Sequence, residues 1–201
     1  MKKKILTLIS AFTCLVLAAT PASAKKFEVD SAHSKIGFSV THLGLSEVDG
    51  KFTNFKGAFD WDAKNLKSSK ITFSARAASI DTDNAKRDKH LRSGDFFATN
   101  TYPELKFEST KIEKVSSNRY IVTGKLTAHG TTKTIKTTAR IKGPVDLFGD
   151  GSESIGFRST FKINRIDFGI GAGWKGGSDK VVGHDVFILS LIHISEPTRP
   201  Y

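Results

Sequence analysis

The residue types that do chemistry in proteins are thinly spread along this chain. Six histidines, His33, His42, His90, His129, His184 and His193, share no i, i+2 or i, i+4 spacing and form no H-E-x-x-H run, the patterns that bring two imidazoles to one metal. A zinc site would have to be assembled from distant segments, so a metal-dependent hydrolase is the weakest of the functions considered. The single cysteine, Cys14, lies in the apolar N-terminal run, which leaves the rest of the chain without a thiol nucleophile, a disulfide or a thiolate ligand. No G-x-S-x-G elbow presents a serine. Gly169, Gly171, Gly173, Gly176 and Gly177 are followed by no Lys-Ser or Lys-Thr pair and no helix, so they make no phosphate loop and read as a flexible connection before the last strand. The chemistry on offer is recognition, with no catalytic residue, no metal and no cofactor expected.

The elements that must carry such recognition begin after a leader. Lys2, Lys3 and Lys4 precede the apolar run 5–19, and Ala22 and Ala24 close the segment with small residues. That is the build of a secretory signal peptide over residues 1–24, and the run is too short to span a bilayer, which takes about 20 residues. The expected product starts at Lys25 and is periplasmic or secreted. It keeps 28 basic against 20 acidic residues once three leader lysines are removed. Its lysines stand singly along strand-like segments (Lys56, Lys70, Lys106, Lys125, Lys136, Lys162), which suits a solvated exterior better than a nucleic-acid surface.

Hydrophobic period sets the class. Apolar and polar residues alternate through Ile36–Val40, Phe55–Trp61, Ile71–Ala77, Leu105–Phe107, Tyr120–Leu126, Ile135–Ile141, Ile155–Ile163 and Phe187–Leu191, the signature of half-buried strands. Eight antiparallel strands joined by short turns such as 116–118 and 149–151 either close into a barrel or stack as a sandwich; closure removes exposed edges. Between the third and fourth strands, 84–91 suits one short helix capped by Asp81 or Asp83. On the presumed inner face Gly57, Ala75, Ala77, Gly124, Ala128, Ala139 and Ser159 alternate with phenylalanines. That pattern fits either a tunnel or a filled core of interlocking residues.

Particular residues then carry a resemblance. Val29-Asp30-Ser31-Ala32-His33-Ser34 with Ile36-Gly37-Phe38 and Thr41-His42-Leu43-Gly44 comes first. Ser79-Ile80-Asp81-Thr82, Arg87-Asp88-Lys89-His90-Leu91, Asp95-Phe96-Phe97 and Tyr102-Pro103 follow. After them come Gly124–Gly130, Arg165-Ile166-Asp167-Phe168-Gly169 and Val182-Gly183-His184-Asp185-Val186. In this order they resemble the YceI-like family, over residues 25–191. The resemblance implies a lipocalin-like, eight-stranded antiparallel barrel with a long-chain amphiphile inside, a polyisoprenoid or similar, and a lipid carrier or store as the function.

For such a ligand the tail candidates are Phe38, Phe55, Phe59, Phe73, Phe107, Leu126, Phe157, Phe161 and Ile163. Ile80, Leu91, Phe96 and Phe97 are placed to close one end, as a fixed plug or a mobile lid. A polar head group wants cations or donors at the mouth, and His33, Ser34, Arg87, His90, Arg92 and Arg165 are the candidates. Strand parity turns Arg165 inward, where Asp81 or Asp167 is the expected partner. A membrane-surface or stress-related module with no interior ligand is the rival reading. The oligomeric state stays open, a homodimer included. Residues 192–201 read as a tail foreign to the domain, similar to a translated sequencing adapter, because Pro197 and Pro200 end any strand pairing.

Overall fold

The computed structural model describes residues 24–147, 149–175 and 181–196. The leader, apart from Ala24, and the last five residues of the expected tail lie outside these. Ten strands run in chain order as β1 Lys25–His42, β2 Ser46–Phe52, β3 Phe55–Trp61, β4 Lys70–Arg76, β5 Ile80–Asp81, β6 Glu104–Lys114, β7 Arg119–Ala128, β8 Thr131–Asp146, β9 Glu153–Asn164 and β10 Val182–Ser195. Among the described residues one α-helix, α1, covers Ala85–Arg92. Eight of the strands close a ring in the order β1-β3-β4-β6-β7-β8-β9-β10, with β10 returning to pair antiparallel with β1. This is the expected eight-stranded barrel, with its helix between the third and fourth strands of the ring.

β1 makes the architecture asymmetric. Its first residues, Lys25–Glu28, pair with β3, whereas Ile36–His42 pair with β2, and β10 follows β1 on its other side through a shift between Asp30 and Lys35. At one end of the barrel, therefore, the wall continues from β1 into β2 and the two-residue β5 instead of into β3. β2 was not expected from the sequence. Its inward positions are Val48, Gly50 and Phe52, and the Phe38 ring occupies the place a side chain at Gly50 would take. The strand therefore shows little apolar alternation of its own.

Two further expectations are corrected, and one strand runs further than expected. The helix starts at Asn84, whose side chain accepts from the Arg87 N–H at 3.0 Å, and not at Asp81 or Asp83; Asp83 sits at φ +58° just before it. In β10 the apolar set Phe187, Leu189 and Leu191 faces outward, with Phe187 47% exposed, while Val186, Ile188 and Ser190 line the interior. β10 also runs past Leu191: Ile192 and Ile194 are buried in the core, and Ile194 lies opposite Val29. The domain boundary expected at Leu191 thus falls inside a strand.

The half of the barrel where β1 meets β3 is filled. Phe27, Phe59, Trp61, Ile71, Ile112, Tyr120, Val122, Ala139, Ile141, Ile155, Phe157, Ile192 and Ile194 form one buried cluster. Phe59 packs edge-on against both Phe73 and Phe157 with ring centroids 5.4 Å apart, and Trp61 meets Tyr120 at the same separation. At the other end Phe96, Ala128, Phe168 and Ile170 form one smaller cluster, and Phe52, Ala75 and Ile80 another. Tunnel and interlocked core, alternatives on the sequence, each occupy one half of the same barrel.

Candidate functional site

The hollow half holds a cavity of about 180 Å³, measured as space open to the centre of a water molecule. One water needs only about 10–15 Å³ on that measure, so this is a chamber and not a packing defect. The whole non-atom space, with the solvent-open mouth included, is about 1310 Å³. The wall is apolar almost throughout: Phe38, Phe73, Phe107, Leu126, Phe161 and Ile163 project into it, with Phe157 at the level of the filled core.

The chamber exists because of where the small residues sit. A Cβ at Gly57 would stand 2.5 Å from Phe73 Cδ1 and 2.7 Å from the Thr72 carbonyl oxygen; one at Gly124 would stand 2.5 Å from Phe107 Cζ. Glycine on one strand is thus a seat for the phenylalanine of the next, which lets the ring lie along the wall. Small residues alternate with aromatic ones to flatten the lining, and the space is left in the middle.

One end of the chamber is covered by α1 and the segment after it. Leu91, Phe96, Phe97 and Ile80 all border the cavity, and Phe97 meets Phe52 edge-on at 6.0 Å. This cover is tied down by polar contacts. Asp88 is buried and accepts from the Thr82 N–H at 3.0 Å and the Thr82 hydroxyl at 2.5 Å. Arg92 donates to the carbonyls of Ala78 and Ile80 at 2.7 and 2.6 Å.

Seven of the nine tail candidates border the chamber, and two do not. Phe59 is wholly buried in the filled half. Phe55 packs on the Phe52, Ala75 and Ile80 cluster. Parity alone cannot separate these cases, because it gives the face of a strand but not the height along the barrel. The head-group candidates divide more sharply. His33 is on the outer wall, its Nδ1 2.6 Å from Asp30 Oδ2, and that hydrogen bond is the main reason the Asp30 carboxyl sits below its usual pKa. Ser34 is spent on the β1–β10 bulge, donating to the His193 carbonyl and accepting from its N–H. Arg87 donates to Thr82, and His90 pairs with Asp95 while its ring meets Phe96 and Trp174.

Arg165 alone of that set borders the cavity, 7% exposed, at the start of a 3-10 turn over Arg165–Phe168. Its guanidinium donates to the carbonyls of Gly183, Ile170 and Val182 at 2.8–2.9 Å. Backbone carbonyls therefore do much of what Asp81 or Asp167 was expected to do; Asp81 instead faces Lys51 at 3.3 Å. Of the glycine-rich connection, the described part supplies buried Ile170 to the core; Gly176 and Gly177 lie outside the described residues. The sequence reading missed Val40, Phe52, Ile135, Val186 and Ile188 as lining residues. The even-numbered parity of β10 was the available signal, hidden because both faces of that strand are apolar.

A closed antiparallel barrel of eight strands, filled at one end and hollow and apolar at the other, is a lipocalin-like barrel, a build wide enough to hold one small ligand. The YceI-like domain model matches residues 27–192, and the chain belongs to that family. A UPF0312 protein of Photorhabdus laumondii is 38% identical over 173 residues, covering 84% of this chain and 86% of its own length. A Vibrio parahaemolyticus UPF0312 protein is 36% identical over 178 residues, covering 86% and 87%. Among solved structures, Campylobacter jejuni YceI protein superposes with a TM-score of 0.70 at 33% identity, covering 85% of this chain and 97% of its own. Burkholderia cenocepacia BcnA gives 0.73 at 25%, covering 84% and 99%. A polyisoprenoid binding domain from Saccharophagus degradans shares the fold, with a TM-score of 0.69 at 15% identity over 85% of this chain and 98% of its own.

Proposed function

We propose that this chain is an exported binding protein, without catalytic activity of its own, that holds one long-chain amphiphile such as a polyisoprenoid in the hollow half of its barrel. The observation that carries the reading is the apolar chamber above a separately filled core. Membership of the YceI-like family supports it, as does the shared fold of a domain described as polyisoprenoid binding. Each methylene moved from water into such a wall gains about 0.8 kcal/mol. A bilayer gives the tail nearly the same gain, so the protein suits transfer or storage between apolar phases. The turn between β1 and β2 carries Leu43, 54% exposed, and Leu45, 91% exposed, just beyond Val40 at the chamber edge. It is the proposed point of transient contact with a membrane.

The test is to purify the protein from the periplasm, extract it with organic solvent and analyse the extract by mass spectrometry. Delipidated protein is then titrated with a fluorescent prenyl lipid. A co-purified lipid and saturable uptake support the proposal; an empty extract together with no uptake overturns it. Phe161→Arg, which sets a charge in the chamber, should abolish uptake. An intact mass beginning at Lys25 is the expected signature of export.

A further inference from the structure

The floor of the chamber carries hydroxyl side chains. On β8, β9 and β10 the residues one inward step above the filled core are Thr137, Ser159 and Ser190; the next step down is Ala139, Phe157 and Ile192, all buried in that core. Ser159 lies opposite Ser190 in the β9–β10 register. The Thr137 and Ser159 hydroxyls share a hydrogen bond of 2.7 Å, and Ser159 also reaches the Thr138 carbonyl at 3.2 Å. Thr137 and Ser159 are 8% and 2% exposed. Ser190 borders the cavity beside them, and its side chain makes no hydrogen bond among the described residues. A hydroxyl on an apolar wall loses free energy unless something bonds it.

We infer that Thr137, Ser159 and Ser190 form a floor subsite for a neutral, hydrogen-bonding head group, so that the ligand enters head first and its tail runs back towards Phe161, Phe38 and the mouth. This rests on the proposal that the chamber holds an amphiphile, and it sets the ligand's direction and head-group class. Hydroxyls supply hydrogen bonds but no positive charge, and burying a phosphate without a cation is costly. Two cations border the chamber: Lys106 is exposed and paired with Glu104 at 3.0 Å, and Arg165 is six residues from Ser159, about 20 Å along a strand, its guanidinium held by carbonyls at the other end. An alcohol, amide or carbonyl head fits the floor, and a phosphate does not.

The test compares three probes of equal chain length on delipidated protein: geranylgeraniol, its monophosphate and the hydrocarbon phytane, each competing against a bound fluorescent prenyl lipid. Wild type should hold geranylgeraniol about tenfold more tightly than either of the others, the fold-change of roughly one good hydrogen bond. Ser190→Ala breaks no side-chain hydrogen bond among the described residues and should remove most of that preference without changing phytane binding, and Ser190→Thr should keep it. Thr137→Val with Ser159→Ala should act in the same direction, with a melting curve to confirm the fold. Equal binding of alcohol and hydrocarbon, or a preference for the phosphate that Ser190→Ala leaves intact, overturns the floor subsite alone. Failure of all three probes to displace the label, or of the label to bind, overturns the chamber as a lipid site.

Discussion

Removing one phenylalanine from each half of the barrel should give two different results. Phe59 is fully buried, with edge-on contacts to Phe73 and Phe157 at 5.4 Å. Phe59→Ala loses the transfer free energy of the ring, about 1.5–3 kcal/mol. It adds a term of about 24 cal/mol for each Å³ of cavity that the surrounding strands cannot collapse, and it loses two aromatic pairs worth about 0.5–1.5 kcal/mol each. Because these overlap, the expected total is the usual Phe→Ala range of about 3–5 kcal/mol. In a domain of this size that lowers Tm by about 6–20 °C. Phe161 is half-buried and already faces empty space, so Phe161→Ala should cost under about 2 kcal/mol. Thermal and urea unfolding of both delipidated variants, beside uptake of a fluorescent prenyl lipid at a temperature where both are folded, makes the comparison. Phe59→Ala should be the unstable variant with ordinary uptake, and Phe161→Ala the stable one with altered uptake. Equal losses of stability, or altered uptake only in Phe59→Ala, would refute the division into a filled and a hollow half.

Other outcomes follow from single contacts. Gly57→Ala drives a methyl against Phe73 and the Thr72 carbonyl and should cost about 1–3 kcal/mol while narrowing the chamber. Gly156→Ala, with nothing within 4 Å of its Cβ, should be neutral to slightly stabilising in the same assay. Asn84→Ala removes the cap of α1 and should cost about 0.5–2 kcal/mol, visible as faster amide exchange over the helix. Asp30 is held below its ordinary pKa chiefly by the His33 hydrogen bond and Asp81 chiefly by the Asp83 N–H, while lysines do the same to Glu104, Glu108 and Glu113. Carboxyls with depressed folded-state pKa values stabilise above the unfolded value near 4 and lose that contribution as pH falls through the folded value. All are solvent-facing, so Tm should be flat from pH 8 to 5 and fall modestly below about pH 4. A Tm that falls already between pH 7 and 5 would contradict this.

The ring of eight strands was legible because each alternates against a polar exterior. Lys56, Lys70, Lys106, Lys125, Lys136 and Lys162 are all exposed, as solvated-face lysines should be. β2 was illegible because one of its inward residues is Gly50, and the atoms that fill that place belong to Phe38. β10 was read on the wrong face because Phe187, Leu189 and Leu191 offered a stronger apolar pattern than Val186, Ile188 and Ser190. The head-group candidates were cations or donors, yet neither property gives a position. His33 ended on the outer wall, and Arg87 and Arg92 on the ties of α1. The hydroxyls of Thr137 and Ser190 passed unnoticed, since Thr and Ser in a strand carry no sequence signal that separates floor from wall.

β1 pairs with β3 beside the filled half and with β2 beside the chamber, so one continuous strand belongs to two neighbourhoods with different obligations. Most residues of the filled core lie away from the chamber, and Val122 and Phe157 serve both. Substitutions around the chamber can therefore change its lining with little loss of the stability held at the other end.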